Sequence, residues 1–250
     1  MFRKILLPLL LATSVASAFI SLDPPVIGEH EGWDAEVSLS GEYHSGNSEK
    51  TSAGLGGRMQ YSTQTWLFLT IAAYNYGESN GEKDTDDALL HLRYIHHIED
   101  TLYDYELFTQ TEYNEFQDVK ARNLAGANLR RKITGYFDTC YIGAGLFYSY
   151  MEPDNISNID PVYERIKLNT YLSLTKQINE HFSVTYLGFY QPNIEEFSDY
   201  RIFQVLQLDT TLTKHLTLGL DFHHKYNTTP YHQVERNDFK SSINLKYKWK

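Results

Sequence analysis

Apolar side chains fall on every second position along most of the chain. In 34–44, Ala35, Val37, Leu39 and Tyr43 alternate with Glu36, Ser38, Ser40 and Glu42. In 163–176, Ile166, Leu168, Leu172 and Leu174 alternate with Arg165, Lys167, Asn169, Tyr171 and Ser173. The last segment is the clearest: Phe239, Ile243, Leu245, Tyr247 and Trp249 alternate with Lys240, Ser242, Asn244, Lys246 and Lys248. Helical spacing would scatter these sets around a cylinder, whereas a strand puts each on one face. The pattern predicts about twelve strands, near 34–44, 52–62, 65–77, 87–97, 103–115, 121–131, 138–150, 162–176, 182–191, 200–212, 215–227 and 237–249. Each approaches the ~10 residues that a tilted strand needs to cross a bilayer. Two segments blur the pattern, and ten strands is the alternative count. In 65–77, Leu67, Leu69 and Ile71 make both faces apolar, and in 121–131 polar residues occupy both.

The connections alternate in length. Those expected after odd strands are long and polar (45–51, 78–86, 116–120, 151–161, 192–199 and 228–236), and those after even strands are tight, such as Thr63-Gln64 and Thr213-Lys214. Long outer loops with short periplasmic turns are the habit of outer-membrane barrels, which places both chain termini in the periplasm. Tyr and Trp gather toward strand ends while Leu, Ile, Val and Ala hold the middles, as amphipathic rings at headgroup depth would.

Composition sharpens the class. The 250 residues carry a formal charge of −10, with 20 Tyr and 13 Phe, and mean hydropathy is −0.45. That average suits a soluble protein, but the aromatic content does not. A barrel with one lipid face and one polar face reconciles the two. At the N-terminus, Arg3 and Lys4 precede an apolar run over 5–11 and small residues ending in Ala16-Ser17-Ala18. This reads as an export leader, 1–18, cleaved before Phe19. Residues 19–33, with Pro24-Pro25, read as a periplasmic lead-in, and 34–250 as the barrel. The lone Cys140 rules out an intrachain disulfide framework.

Several motifs carry a family resemblance. Trp33-Asp34 is followed by Gly41-Glu42-Tyr43-His44-Ser45-Gly46-Asn47-Ser48. Later come Glu112-Tyr113-Asn114-Glu115-Phe116, the run from Arg122 through Gly126 to Arg130, Gly143-Ala144-Gly145 and Asp199-Tyr200-Arg201. Across essentially the whole mature chain these resemble the YdiY-like proteins, the salt-induced outer membrane protein family. The resemblance implies an outer-membrane barrel of unsettled role, with no catalytic residues to carry over. The chain departs from the usual aromatic C-terminus, because Lys250 follows Trp249.

Function should be written in the lumen. With the apolar sets toward lipid, the lumen receives Glu36, Glu42, Arg58, His91, Arg93, Asp104, Glu106, Glu112, Arg165, Lys167, Arg201, Asp209, Asp221, His223, Lys225, Lys246 and Lys248. Both signs occur, so cross-strand pairing is expected. Closure would set Lys246 and Lys248 beside Glu36 and Glu42, and Arg93 near Asp104 and Glu106. The reading is a narrow or occluded channel for small polar solutes or ions. An envelope-structural barrel is the alternative, and an outer-membrane hydrolase using His44 comes third. No cofactor and no metal are expected, and the acidic run 78–87 reads as a solvated loop rather than a cation site. No basic stripe with interleaved aromatics points to nucleic acid. The expected partners are outer-membrane lipid, lipopolysaccharide and the barrel-assembly machinery, with the protein a monomer.

Overall fold

The computed structural model describes residues 24–44, 49–154 and 160–249, without the side chains of Glu42 and His44. The leader 1–18, the Ser-Gly-Asn-Ser turn and the two side chains just named lie outside the described residues. Twelve strands run β1 (Gly32–His44), β2 (Lys50–Ser62), β3 (Trp66–Ser79), β4 (Glu82–His97), β5 (Tyr103–Asn114), β6 (Val119–Lys132), β7 (Thr139–Pro153), β8 (Tyr163–Gln177), β9 (Phe182–Pro192), β10 (Tyr200–Thr211), β11 (Leu216–Asn227) and β12 (Asn237–Trp249). Each pairs antiparallel with its chain neighbour, and β12 closes on β1. This is the expected up-and-down barrel of outer-membrane type, with twelve strands rather than ten. Closure gives central backbone groups a partner, which is what allows strands to sit in hydrocarbon.

Register fixes the two faces. Glu36 stands opposite Arg58, Arg58 opposite Ile71, Ile71 opposite His91 and His91 opposite Gln110, so one inner row passes from strand to strand. The outer face exposes Leu39, Leu55, Leu90, Leu107, Leu129, Leu146, Ile166, Leu172, Leu220 and Ile243. Aromatic rings border this band. At the end where β1 begins and β12 ends, Trp33 meets Tyr61 at 5.0 Å, Tyr61 meets Trp66 at 5.5 Å, and Trp66 meets Tyr94 at 6.0 Å. At the other end Tyr190, Tyr200 and Tyr226 follow one another at 5.5 and 5.9 Å. These spacings suit tilted ring contacts.

The two blurred segments have separate causes. In β3 the inner residues Leu67 and Leu69 are buried with Ile95 of β4, in an apolar patch inside the lumen. Lipid therefore accounts for one apolar face and this patch for the other. In β6, Arg122, Asn128 and Arg130 point inward and are buried, while the outer face is mostly small residues.

One connection differs from expectation. The stretch 78–86 is not a long loop, because β3 and β4 continue to Ser79 and Glu82 and turn through Asn80-Gly81 alone. Both turn residues have positive φ, 53° and 80°, the backbone of the tight hairpin that Asn-Gly favours. Its acidic residues meet lysines: Lys50 to Asp84 at 3.6 Å, Lys83 to Asp86 at 3.0 Å, and Lys83 to Glu115. The connections 154–162, 193–199 and 228–236 remain long and mark what we call the loop end. The opposite end, with the short turns, where β1 begins and β12 ends, is the turn end.

The seam is uneven. β1 stays in register with β2 along its full length, from Gly32–Ser62 to His44–Lys50. It pairs with β12 only from Ala35–Trp249 to Leu39–Leu245. Toward the loop end, β1 and β12 each keep a partner on one side only.

Candidate functional site: the barrel lumen and its two mouths

The turn-end mouth is entered by residues 24–31, which precede β1. Ile27 packs on the patch of Leu67, Leu69 and Ile95. The Arg130 Nη1 donates to the Pro25 carbonyl at 2.9 Å, and the Gly28 amide reaches Ser62 Oγ at 3.5 Å. Gly28 sits at φ +77° close against Gln64, where a side chain would be strained. Gln64 also donates to Glu31.

A polar belt crosses the lumen just above this segment. Glu106 is fully buried and accepts from Tyr171 Oη at 2.8 Å and Asn128 Nδ2 at 3.0 Å. Its other oxygen faces Arg93 at 3.6 Å and Arg130 at 3.8 Å. Arg130 also donates to Asp104 at 2.7 Å and lies 4.0 Å over the Tyr141 ring. Asn169 then donates to Asn128 at 3.1 Å, and Gln191 to Asn169 at 2.9 Å. The belt spans β4 to β9 because β7 is bare at this level. A β-carbon on Gly143 would overlap the Tyr171 ring, and one on Gly145 would strike Asn128. A buried charge is tolerable only when paired and hydrogen-bonded, and the belt supplies both.

A second set lies across the barrel. Lys246 donates to both Asp209 oxygens, at 2.8 and 3.0 Å, reaching over Gly219 of the intervening strand. Lys248 faces Glu36 at 3.3 Å, and Asn244 donates to Asp221 at 2.7 Å.

The loop end is roofed in part by 228–236. Tyr231 is buried with Val119 and Met151, stacks on Tyr163 at 5.5 Å, and donates to the Met151 carbonyl at 2.9 Å. Burial pushes the Tyr231 phenol up, so it stays protonated as that donor. In 193–199, Asp199 meets Arg165 at 3.1 Å, Lys167 at 3.3 Å and Thr229 Oγ1 at 2.6 Å. Burial works against the Asp199 charge, but the Thr229 hydroxyl and the Lys167 and Arg165 cations outweigh it and hold the acid below its usual range. From the roof, past the belt residues Arg93, Arg130 and Tyr171, to Pro24 and Pro25 runs a chamber of about 380 Å³.

Of the residues that the alternation assigns to the lumen, Glu36, His91, Asp104, Glu106, Lys167, Asp209, Asp221, His223 and Lys246 are buried on the inner face. Arg58, Arg93, Glu112, Arg201 and Lys225 line the chamber. Arg165 and Lys248 reach inward to Asp199 and Glu36. Glu42 pairs with Ser52 in the register, and its side chain lies outside the described residues. Lys246, expected beside Glu36 and Glu42, has Asp209 as its ion-pair partner. The alternation alone missed Arg122, Arg130, Asn128, Tyr231 and the segment 24–31. Even positions from 122 to 130 carry Arg, Leu, Gly, Asn and Arg, and this parity could have revealed the inner face of the strand expected at 121–131.

The family model described as "Protein of unknown function, DUF481" matches residues 37–249. The chain belongs to the DUF481 family. No curated protein matches the sequence. Among solved structures, this DUF481 chain is similar to the NanC porin at 12% identity and TM-score 0.46, covering 87% of this chain and 98% of that one. It is also similar to the KdgM porin at 8% identity and TM-score 0.45, with 87% and 99% covered. A third is the translocator domain of the autotransporter NalP from Neisseria meningitidis, at 9% identity and TM-score 0.47, with 89% and 90% covered.

Proposed function

We propose that this DUF481 chain is a Gram-negative outer-membrane protein, exported on the leader 1–18, whose barrel is a channel for small polar solutes or ions held shut by its own chain. Both termini lie in the periplasm, so residues 24–31 close the lumen from that side. The observation that carries the reading is a single chamber lined by Pro24 and Pro25 at one end and by Pro230, Tyr231 and Val234 at the other. Its partners are the bilayer and lipopolysaccharide that the apolar band and ring girdles fit, and the assembly machinery that inserts it. Opening requires the withdrawal of 24–31, which Ile27 anchors on the lumen wall at the mouth. No catalytic step is assigned. The belt from Arg93 to Gln191 favours a second reading, an envelope-structural barrel braced across its lumen.

Planar-bilayer recording separates the two. The wild-type barrel is expected to show rare, brief openings, and a variant lacking residues 19–31 a steady current several times larger. Silence from both at every voltage and salt would overturn the channel and leave the structural reading. A large steady current from the wild type would overturn the shut state.

A further inference from the structure

We propose that the chamber binds a small organic anion: one negative group on an apolar, ring-sized body. The proposal rests on the closed-lumen reading above and adds the chemistry of the occupant. Two carboxylates at the loop end are engaged by cations of the wall. Asp199 is held by Arg165 and Lys167, and Glu112 accepts from Arg122 at 2.6 Å. Two cations on the adjoining strands β10 and β11, Arg201 and Lys225, line the chamber without an ion pair among the described residues. The Arg201 guanidinium meets the Met151 thioether at 3.4 Å, a weak acceptor, and pairs with no carboxylate among the described residues. Lys225 likewise pairs with none among the described residues. Asp238, opposite it in the register, accepts from Gln117 at 3.0 Å instead. Arg122, Arg201 and Lys225 thus share the chamber wall with Glu112, in a protein whose overall charge is −10. Cations that share one wall favour an anion, whose charge offsets their mutual repulsion directly.

The shape of the rest of the occupant follows from the next row of side chains. Phe203 stands opposite Lys225 and two residues along β10 from Arg201. From Phe203 the rings continue to Phe189 at 6.3 Å and Tyr171 at 5.4 Å, forming an apolar wall that begins where the cations end. A chamber of about 380 Å³ falls within the ~300–1,000 Å³ of ordinary small-molecule sites, which are mostly apolar with a few convergent polar groups. Lys225 is exposed, so entry is from the loop end.

The test is calorimetric titration of the refolded full-length mature barrel in detergent, with the detergent alone as blank. The probes are 2-naphthoate, its neutral alcohol 2-naphthalenemethanol, and inorganic phosphate. Naphthoate is expected to bind at least about tenfold more tightly than either other probe, the worth of one charge-assisted contact, with affinity falling as salt rises. Arg201→Gln and Lys225→Gln should each weaken naphthoate by about tenfold and leave the alcohol unchanged. Lys225→Gln alters an exposed side chain and keeps the test valid if Arg201→Gln fails to fold. Equal binding of naphthoate and its alcohol, phosphate binding as tight as naphthoate, or indifference to Lys225→Gln would each overturn the proposal. Because calorimetry needs no current, a failed anion site is distinguishable from a failed channel: the first abolishes the titration, the second only the conductance.

Discussion

A β-carbon on Gly145 would overlap the Ala127 backbone oxygen and Asn128, whereas one on Gly57 would meet nothing. Gly145→Ala is therefore expected to destabilise the barrel by about 1–3 kcal/mol, the usual cost of overpacking. Gly57→Ala should be near neutral, with both read from urea unfolding in lipid vesicles. The Lys246–Asp209 pair allows a second comparison. Lys246→Met strands a buried carboxylate and should cost about 3–5 kcal/mol, while adding Asp209→Leu should restore most of it. A double variant no more stable than the single one would mean that the pair is not what holds this part of the lumen. At this scale the sequence was partly legible. Parity alone places a side chain inside or outside, so Glu106 and Lys246 could be assigned to the lumen from spacing. Partners were not legible, because Lys246 passes its neighbouring strand at Gly219, and alternation carries no information about a reach of that kind.

Among the elements, 193–199 and 228–236 are tied to each other through Asp199 and Thr229, and Tyr231 fastens 228–236 to β7. The Asp199 acid is held below its unfolded value of about 3.9. A carboxylate with a lowered folded pKa contributes its full stabilisation above the unfolded value and loses it as pH falls through the folded one. These two loops should thus stay docked at pH 5 and loosen below about pH 4, seen as growing pepsin cleavage within 193–199. Asp199→Asn should remove that pH dependence. Tyr231→Phe loses only the hydrogen bond to Met151 and should cost about 1 kcal/mol, whereas Tyr231→Ala should free 228–236 to proteases at neutral pH. Element boundaries were readable where turn residues stood apart, as at Thr213-Lys214. They were obscured in 78–86, where charged residues on both sides of Asn80-Gly81 look like loop although they are strand.

For the whole molecule, the low mean hydropathy follows from strands that give one face to lipid and the other to a polar, filled lumen. The class could be read from that average together with the ring placement. The placement of 24–31 in the turn-end mouth could not, because that segment has no period and meets the lumen through Ile27 on Leu67, Leu69 and Ile95. Replacing Ile27 with Asp puts a charge on that apolar patch and should mimic the deletion, giving long openings at unchanged strand content by circular dichroism. The uneven seam has a further consequence. A cylinder joined firmly around all but one half-length line is mechanically a slit tube, and strain applied anywhere collects at the tip of the slit. Amide exchange should therefore start along 40–44 of β1 and 237–244 of β12 on their facing sides and spread from Leu39–Leu245 toward the turn end, so the barrel has a fixed line along which it tears and, in reverse, along which the last strand is drawn home.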